Sequence, residues 1–497
     1  MKSDHALDTE VAIVGSGFSG LGAAIRLKRE GIPFVILEKA ADLGGTWRDN
    51  TYPGIAVDIT SFTYSYSFEQ NPDWSRVFAP GDELKAYADR CADRYQLRRH
   101  IRFNKQVHRA IFDSEQNVWT LHFVDRSSLR ARYLVNACGV LTQPKRPDIA
   151  GLDSFRGKTM HTARWDHGYD LRDMRVAVIG TGATSVQLVP AIAPIVQQLH
   201  VYQRTPIWIL PKPDRVVPEA LKRLFRVVPG AQSAVRMTTT TITELFMVVG
   251  VVYNRQTPWL IQRFERMSRK HLAAQVRDPD IRAKLTPSYG LFCKRPSVSN
   301  TYYPSFERAN VELVTDRIER VTERGIVTAD GREREIDALV LATGFLVMER
   351  GNMPAFETVG RDDVELGDFW ETNRYQAYEG TSVPGFPNHF MMVGPYSVTG
   401  ASWFSMVEAQ SEHLMRCLTE ARRRGATRVE VTEAAHQRYF DMVKRRMPNT
   451  VFLNQNCSQS NSYYFDQRGD APFFRPSGGL ELWWRSRNFA LDDYRYQ

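Results

Sequence analysis

Val11-Ala12-Ile13-Val14-Gly15-Ser16-Gly17-Phe18-Ser19-Gly20 is the stretch from which the fold is read. Four apolar, mostly β-branched or small residues predict a buried strand, the glycines a tight turn, and the Ala/Leu-rich run to Glu30 a helix. Phe34 to Leu37 then restores a strand, which completes a βαβ opening. In Gly15-Ser16-Gly17-x-x-Gly20 the first glycine permits the turn, the second lets a pyrophosphate approach the backbone, and the third lets helix and strand pack closely. The helix N-terminus offers free N–H groups to that anion. Glycine turns of this kind are also common structural devices, so the loop alone says little. Glu38 adds to it: 18 residues after Gly20, at the end of the second strand, a carboxylate is placed to accept hydrogen bonds from a ribose diol. The adenosine of FAD or NAD presents such a diol.

The same grammar recurs about 165 residues later. Val176-Ala177-Val178-Ile179 reads as a strand, Gly180-Thr181-Gly182-Ala183-Thr184-Ser185 as the turn, and His200-Val201-Tyr202 as the next strand. Serine replaces the third glycine. The residues after the second strand are Gln203-Arg204-Thr205, not Asp or Glu; a guanidinium and a hydroxyl there suit a 2′-phosphate and leave NAD without a partner. A surface arginine at a strand end is common, and it is the coincidence with the discriminating slot that favours a functional Arg204. FAD is therefore expected at the first loop and NADPH at the second, in an α/β chain of two Rossmann-like dinucleotide-binding domains with a helical insertion.

Working outward, residues 1–150 are expected to begin the FAD domain and residues 151–215 the NADP domain. Residues 216–290, rich in Arg, Leu and Ala at helical spacing, read as the insertion. Residues 291–335 would complete the NADP domain, and 336–497 the FAD domain with a C-terminal segment, the apolar strand from Ala338 marking the return. At 497 residues, 43% hydrophobic and 24% charged, the composition is that of a globular protein. The polar, acidic start lacks the n- and h-regions of a secretory signal, which points to the cytoplasm. Leu245 to Tyr253, the longest apolar stretch, is shorter than the ~20 residues of a membrane helix and is expected to be buried or to wall an apolar tunnel. Five scattered cysteines with no CxxC or Cys/His spacing are expected to be reduced, with no metal site. The net charge of +9, with basic runs at 422–424 and 444–446, suits nucleic acid or a membrane surface in principle, but in helical, charge-mixed sequence such runs are more often solvated faces, and no nucleic acid is expected. Oligomeric state is not legible.

Phe155-x-Gly157-xxx-His161-xxx-Trp165-Asp166, just before the second loop, resembles the fingerprint FxGxxxHxxxW(P/D) of the type I Baeyer–Villiger monooxygenases, a class B flavoprotein monooxygenase family. Gly44-Gly45-Thr46-Trp47 with Tyr52-Pro53-Gly54 and Asp58 resembles a second family pattern beside the flavin. Lys294-Arg295-Pro296 followed by Tyr302-Tyr303 resembles a third, and Ala342-Thr343-Gly344 and Gly394-Pro395 extend the likeness over essentially the whole chain. Gly394 to Thr399 departs from the Ser-Pro-Ser turn of several relatives. The resemblance implies that NADPH reduces FAD and that a deprotonated peroxyflavin attacks a ketone, giving an ester or lactone; N- or S-oxygenation is the alternative.

By the same resemblance Arg295 is the active-site cation, Asp58 the carboxylate that orients it, and Lys294 a partner of Arg204 and Thr205 at the NADP phosphate. Gly45, Thr46, Trp47, Tyr64 and Val107 match positions lining FAD, while His161 and Trp165 match supports of the domain linker. Without it, Asp58 reads as a turn cap and Arg295 as a surface ion-pair partner. Trp208, Phe246, Tyr289, Phe292 and Trp403 hint at an apolar substrate cavity, although such residues are more often core.

Overall fold

Thr9–Val14 lies inside an eight-stranded sheet because all four residues from Val11 to Val14 are buried, between parallel neighbours Phe34–Leu37 and Ser128–Asn136. The computed structural model describes residues 7–400 and 402–497. The sheet continues past Phe34–Leu37 to Ile101–Arg102, and on the other side through an antiparallel meander of Ser128–Asn136, Val118–Phe123 and Val107–Asp113 to Glu357–Val359. His389–Met391 also pairs with Ser128–Asn136. A chain-distant strand on the same sheet means that residues far beyond 336 complete the first unit. Helix Phe18–Arg29 covers it, its small residues pressed against helix Trp403–Arg424.

A second, wholly parallel sheet has the order Val311–Val314, Gln198–Tyr202, Arg175–Ile179, Ala338–Leu341, Lys158–His161. This corrects one expectation. Ala338–Leu341 does not open the return to the first unit; it sits within the second, paired with Arg175–Ile179. A four-residue apolar strand buried on both faces suits any parallel sheet, so its composition cannot say which sheet takes it. The crossing comes after Leu341, where Phe345–Leu346 pairs antiparallel with Gln143–Pro144.

Between Ile209–Leu210 and its parallel partner Ser297–Val298 the chain leaves the second unit as helices Glu219–Val227, Ala231–Phe246, Pro258–Gln275 and Pro279–Leu285. Of the two readings of the apolar run at Leu245–Tyr253, a wholly buried helix is not found, while Phe246 and Met247 do line a cavity. The run prolongs the helix Ala231–Phe246 through one π-helical stretch, Met247–Val252, and Leu245 and Tyr253 are exposed. The whole of Ala231–Val252 is long and apolar enough to cross a membrane, the one such helix among the described residues.

The cysteines require a second correction. Cys293 and Cys457 are joined in a disulfide, while Cys91, Cys138 and Cys417 are free. A separation of 164 residues leaves no spacing signal, because only the tertiary fold brings the two together. The basic runs are solvated as expected: Arg422 pairs with Glu10, Arg423 and Arg424 with Glu420, Lys444 with Asp441 and Arg446 with Glu481. The expectation of no secretory signal falls partly on Met1 to Ala6, outside the described residues.

Candidate active site

The two glycine loops are one device used twice. Gly15 and Gly180 both hold φ in the left-handed region, at 107° and 113°, where side chains are strained. A Cβ on either would also meet a backbone oxygen of a neighbouring chain segment, Ala137 O at 2.6 Å and Ala342 O at 2.4 Å. The third positions then diverge. A Cβ on Gly20 would lie 1.9 Å from Gly15 O, whereas Ser185 donates its hydroxyl to Gly180 O at 2.6 Å. Serine thus replaces a close van der Waals approach with a hydrogen bond, which is how the second loop keeps its shape without the third glycine. Neither helix N-terminus is capped by a side chain, so the first-turn N–H groups face the loop mouth without an internal partner.

At the first loop a cavity of about 200 Å³ is lined by Gly15, Ser16, Gly17, Glu38, Gly45, Thr46, Trp47, Tyr64 and Val107. Every first-unit position singled out from the sequence except Gly20 and Asp58 faces it; Gly20 lies behind, in the helix–strand contact. Glu38 is buried, accepting hydrogen bonds from Ser16 N and Oγ at 3.0 and 2.6 Å and from Ala40 N at 3.0 Å. Arg48, which sequence reasoning missed, donates to Glu38 Oε1 at 2.9 Å. The signal was adjacent: Arg48 follows the Gly44-Gly45-Thr46-Trp47 motif on the same short helix, Thr46–Asp49. Trp47 Nε1 donates to Tyr64 Oη at 3.2 Å, and these two rings, with Trp403, border both this cavity and a larger one.

That larger cleft, of about 2260 Å³, runs between the two units. Its wall carries Asp58 and Tyr64 from the first unit, Gly180 to Thr184, Arg204 and Thr205 from the second, and Lys294 and Arg295 from the chain returning from the insertion. Asp58 and Arg295, 237 residues apart, meet as a bidentate pair: Arg295 Nε donates to Oδ2 and Nη2 to Oδ1, both at 2.7 Å. Burial opposes ionisation of Asp58, but the Arg295 guanidinium outweighs it and holds the carboxyl below its usual range; Asp58 in turn raises Arg295 well above its ordinary value. The side chains remain 42% and 27% exposed, to the cleft. Tyr463 and Tyr464 stand close enough for the same guanidinium to act on their hydroxyls.

The pair is held from both sides. Asp58 follows Gly54, whose Cβ would fall 2.5 Å from Gln187 O, and Gln187 accepts from Tyr52 Oη at 2.8 Å and donates to Ala56 O at 2.9 Å. The loop of the first unit is thereby bolted to helix Ala183–Ile192 of the second. Arg295 lies between the disulfide at Cys293 and the strand Ser297–Val298.

Lys294 is pushed down to about 8, by burial and by the like charge of Arg204. Two cations brought together in the cleft wall with Thr205 suit an anion. Thr205 itself is positioned by its carbonyl, which accepts from Thr181 Oγ1 at 2.8 Å, and by its hydroxyl, which accepts from Asn461 Nδ2 at 2.7 Å. Asn461 belongs to a strap, residues 455–464, that crosses the cleft and that nothing in the sequence reading pointed to. Of the aromatic candidates, Phe246, Phe292 and Trp403 line the cleft, but Trp208 and Tyr289 are core, joined by Trp208 Nε1 to Tyr289 O at 2.8 Å.

The fingerprint residues are structural in position. A Cβ on Gly157 would meet Asp337 O at 2.4 Å, Asp166 pairs with Lys158, and His161 Nδ1 accepts from Ala163 N at 3.1 Å. His167 reaches Thr51 of the first unit at 2.8 Å, so this segment ties the two units without touching the Asp58–Arg295 pair.

Such a site, a charged pair in a cleft between two dinucleotide cradles, belongs to a two-cofactor flavoprotein oxidoreductase. A family model described as pyridine nucleotide-disulphide oxidoreductase matches residues 12–258. A Baeyer–Villiger monooxygenase of Pseudomonas aeruginosa is 41% identical over 450 residues, covering 90% of this chain and 84% of that protein. One from Streptomyces coelicolor is 40% identical over 489 residues, covering 98% and 92%. The crystal structure of OTEMO complexed with FAD and NADP superposes with a TM-score of 0.86 at 26% identity, covering 99% of this chain and all of that one. The chain belongs to the Baeyer–Villiger monooxygenase family: it is an FAD-dependent monooxygenase that uses NADP.

Proposed function

We propose that the protein inserts one oxygen atom of O2 beside the carbonyl carbon of a ketone, giving an ester or lactone, with Arg295 and Asp58 as the residues that set the chemistry. The observation that carries this is their bidentate pair at 2.7 Å in the cleft between the two cradles. FAD bound at the first loop and reduced by NADPH supplies the oxygen activation. The first loop suits it: the uncapped helix end takes the pyrophosphate and Glu38 the ribose. Arg204, Lys294 and Thr205 would hold the 2′-phosphate of NADPH, which relieves the repulsion between the two cations.

Residues 1–150 and the chain after Leu341 then form the FAD domain, and residues 151–215 with the chain from 291 to Leu341 the NADP domain.

Arg295 keeps its proton at any working pH and gives negative charge on oxygen a fixed partner. Asp58 fixes the plane of the guanidinium and would repel such charge if it stood alone; paired, it acts as a positioning group. The apolar part of the cleft, with Phe246, Phe292 and Trp403, excludes water and takes the hydrocarbon of the substrate.

The test is incubation of FAD-loaded protein with NADPH, air and a panel of ketones and sulfides. Esters or lactones one oxygen heavier than the ketone support the proposal. Sulfoxide with no ester would replace it by heteroatom oxygenation.

A further inference from the structure

We propose that the outer face of the insertion is a docking surface for an anionic phospholipid bilayer, on which the protein lies without spanning it. Helix Ala231–Phe246 and its extension to Val252 contain two ionisable residues, Arg236 and Glu244, and both are buried. Arg236 donates to Ser65 O at 2.7 Å, Gln232 to Asn71 O at 2.6 Å, and Glu244 accepts from Leu480 N at 3.2 Å. Both charges of the helix, with Gln232, are turned inward and anchor it to the body. A segment so pinned cannot cross a bilayer as a free span, despite its length and composition.

What it turns outward is uncharged and led by large apolar side chains: Met237, Ile242 and Leu245 are 68%, 65% and 63% exposed, with the small hydroxyls of Thr238 and Thr241 between them. The Glu244–Leu480 bond ties the start of helix Gly479–Asn488 to the helix from Ala231, and that second helix adds Leu480, Trp483 and Trp484, each more than half exposed. Arg485 is bonded to buried Glu379 at 2.7 Å, which fixes the helix and keeps its tryptophans outward. A patch of this extent marks an interaction site, and Trp is the side chain favoured at the bilayer–water boundary.

Charge selects the occupant. Residues 216–276 hold nine Lys and Arg against three Glu, a net +6 out of the chain's +9. Arg223, Arg255, Arg263, Arg266 and Lys270 are exposed and form no ion pair among the described residues. An exposed apolar face on an insertion that also carries unpaired, exposed cations fits a membrane bearing anionic headgroups. A second copy of the chain would bring the same positive charge against itself. The location is also apt, because the inner side of the same helix, through Thr243, Phe246 and Met247, walls the cleft.

Vesicle sedimentation with FAD-loaded protein tests this without any turnover, so its outcome is independent of the oxygenation chemistry. The protein should pellet with phosphatidylcholine vesicles containing phosphatidylglycerol, far less with phosphatidylcholine alone, and be released by salt. Ile242→Glu with Leu245→Glu should lower partitioning at least about tenfold, and Arg263→Glu with Arg266→Glu should lower it about fivefold per removed positive charge or more. FAD content and thermal unfolding of each variant, compared with the parent, report that it is folded. A parent protein that stays in the supernatant with anionic vesicles overturns the proposal. So does a dimer by light scattering that the Ile242→Glu, Leu245→Glu pair dissociates, since a second copy would then cover the face.

Discussion

Replacing Arg295 by alanine removes both 2.7 Å bonds to Asp58 and the cation that meets it in the cleft. A preorganised charge aimed at a developing oxyanion is worth about 2.7–4 kcal/mol, or about 10²- to 10³-fold in rate. Ester formation by Arg295→Ala should fall by that factor or more. Hydride delivery depends instead on the second cradle, so anaerobic bleaching of the flavin by NADPH should persist, and in air NADPH should be consumed without matching product. Arg295→Lys keeps a charge but cannot grip both carboxylate oxygens, so it should fall between the two. The assay pairs NADPH oxidation with product quantified by gas chromatography, with FAD content confirming a loaded enzyme. Ester formation by Arg295→Ala at the parent rate would refute the role; parallel loss of flavin reduction would mean that Arg295 serves cofactor binding.

Three further outcomes follow from the site. Arg204→Ala should weaken NADPH by about tenfold to a hundredfold, the worth of one charge-assisted contact, and leave NADH nearly unchanged; equal loss for both would remove Arg204 from the phosphate site. Burial and the Arg204 charge push Lys294 down to about 8, below its unfolded value, so its charged form is present below that pH and lost above it. Binding a phosphate there takes up a proton, so NADPH affinity should hold from pH 6 to 7, fall by up to about tenfold per unit above pH 8, and lose that slope in Lys294→Met. Thiol titration of the unfolded, unreduced protein should count the three free cysteines, and five only after reduction; five at the outset would mean that Cys293 and Cys457 are not joined.

Much of this site was legible because a dinucleotide cradle is local. Strand, glycine turn and helix lie within about twenty residues, and Gly15, Gly20 and Gly180 are forced by backbone contacts at 1.9 to 2.6 Å that no side chain tolerates. The acid-versus-arginine contrast of Glu38 and Arg204 sits at the next strand end, at a distance set by the βαβ unit. Asp58 and Arg295 were singled out only through family resemblance, since neither residue carries in its own neighbourhood any sign of the other.

Local order along the chain thus determined two glycine-turn cradles and the acid-versus-arginine contrast between them. Tertiary structure alone decided that Asp58 meets Arg295 across 237 residues, that Cys293 meets Cys457, and that Ala338–Leu341 joins the second sheet. It alone also showed that the helix from Ala231 turns its charges inward and its apolar side out. The physical reason is common to all four: hydrogen bonds and steric limits within a turn are written in neighbouring residues, whereas pairing and exposure depend on which distant surface arrives, and hydrophobic burial is too unspecific to name it.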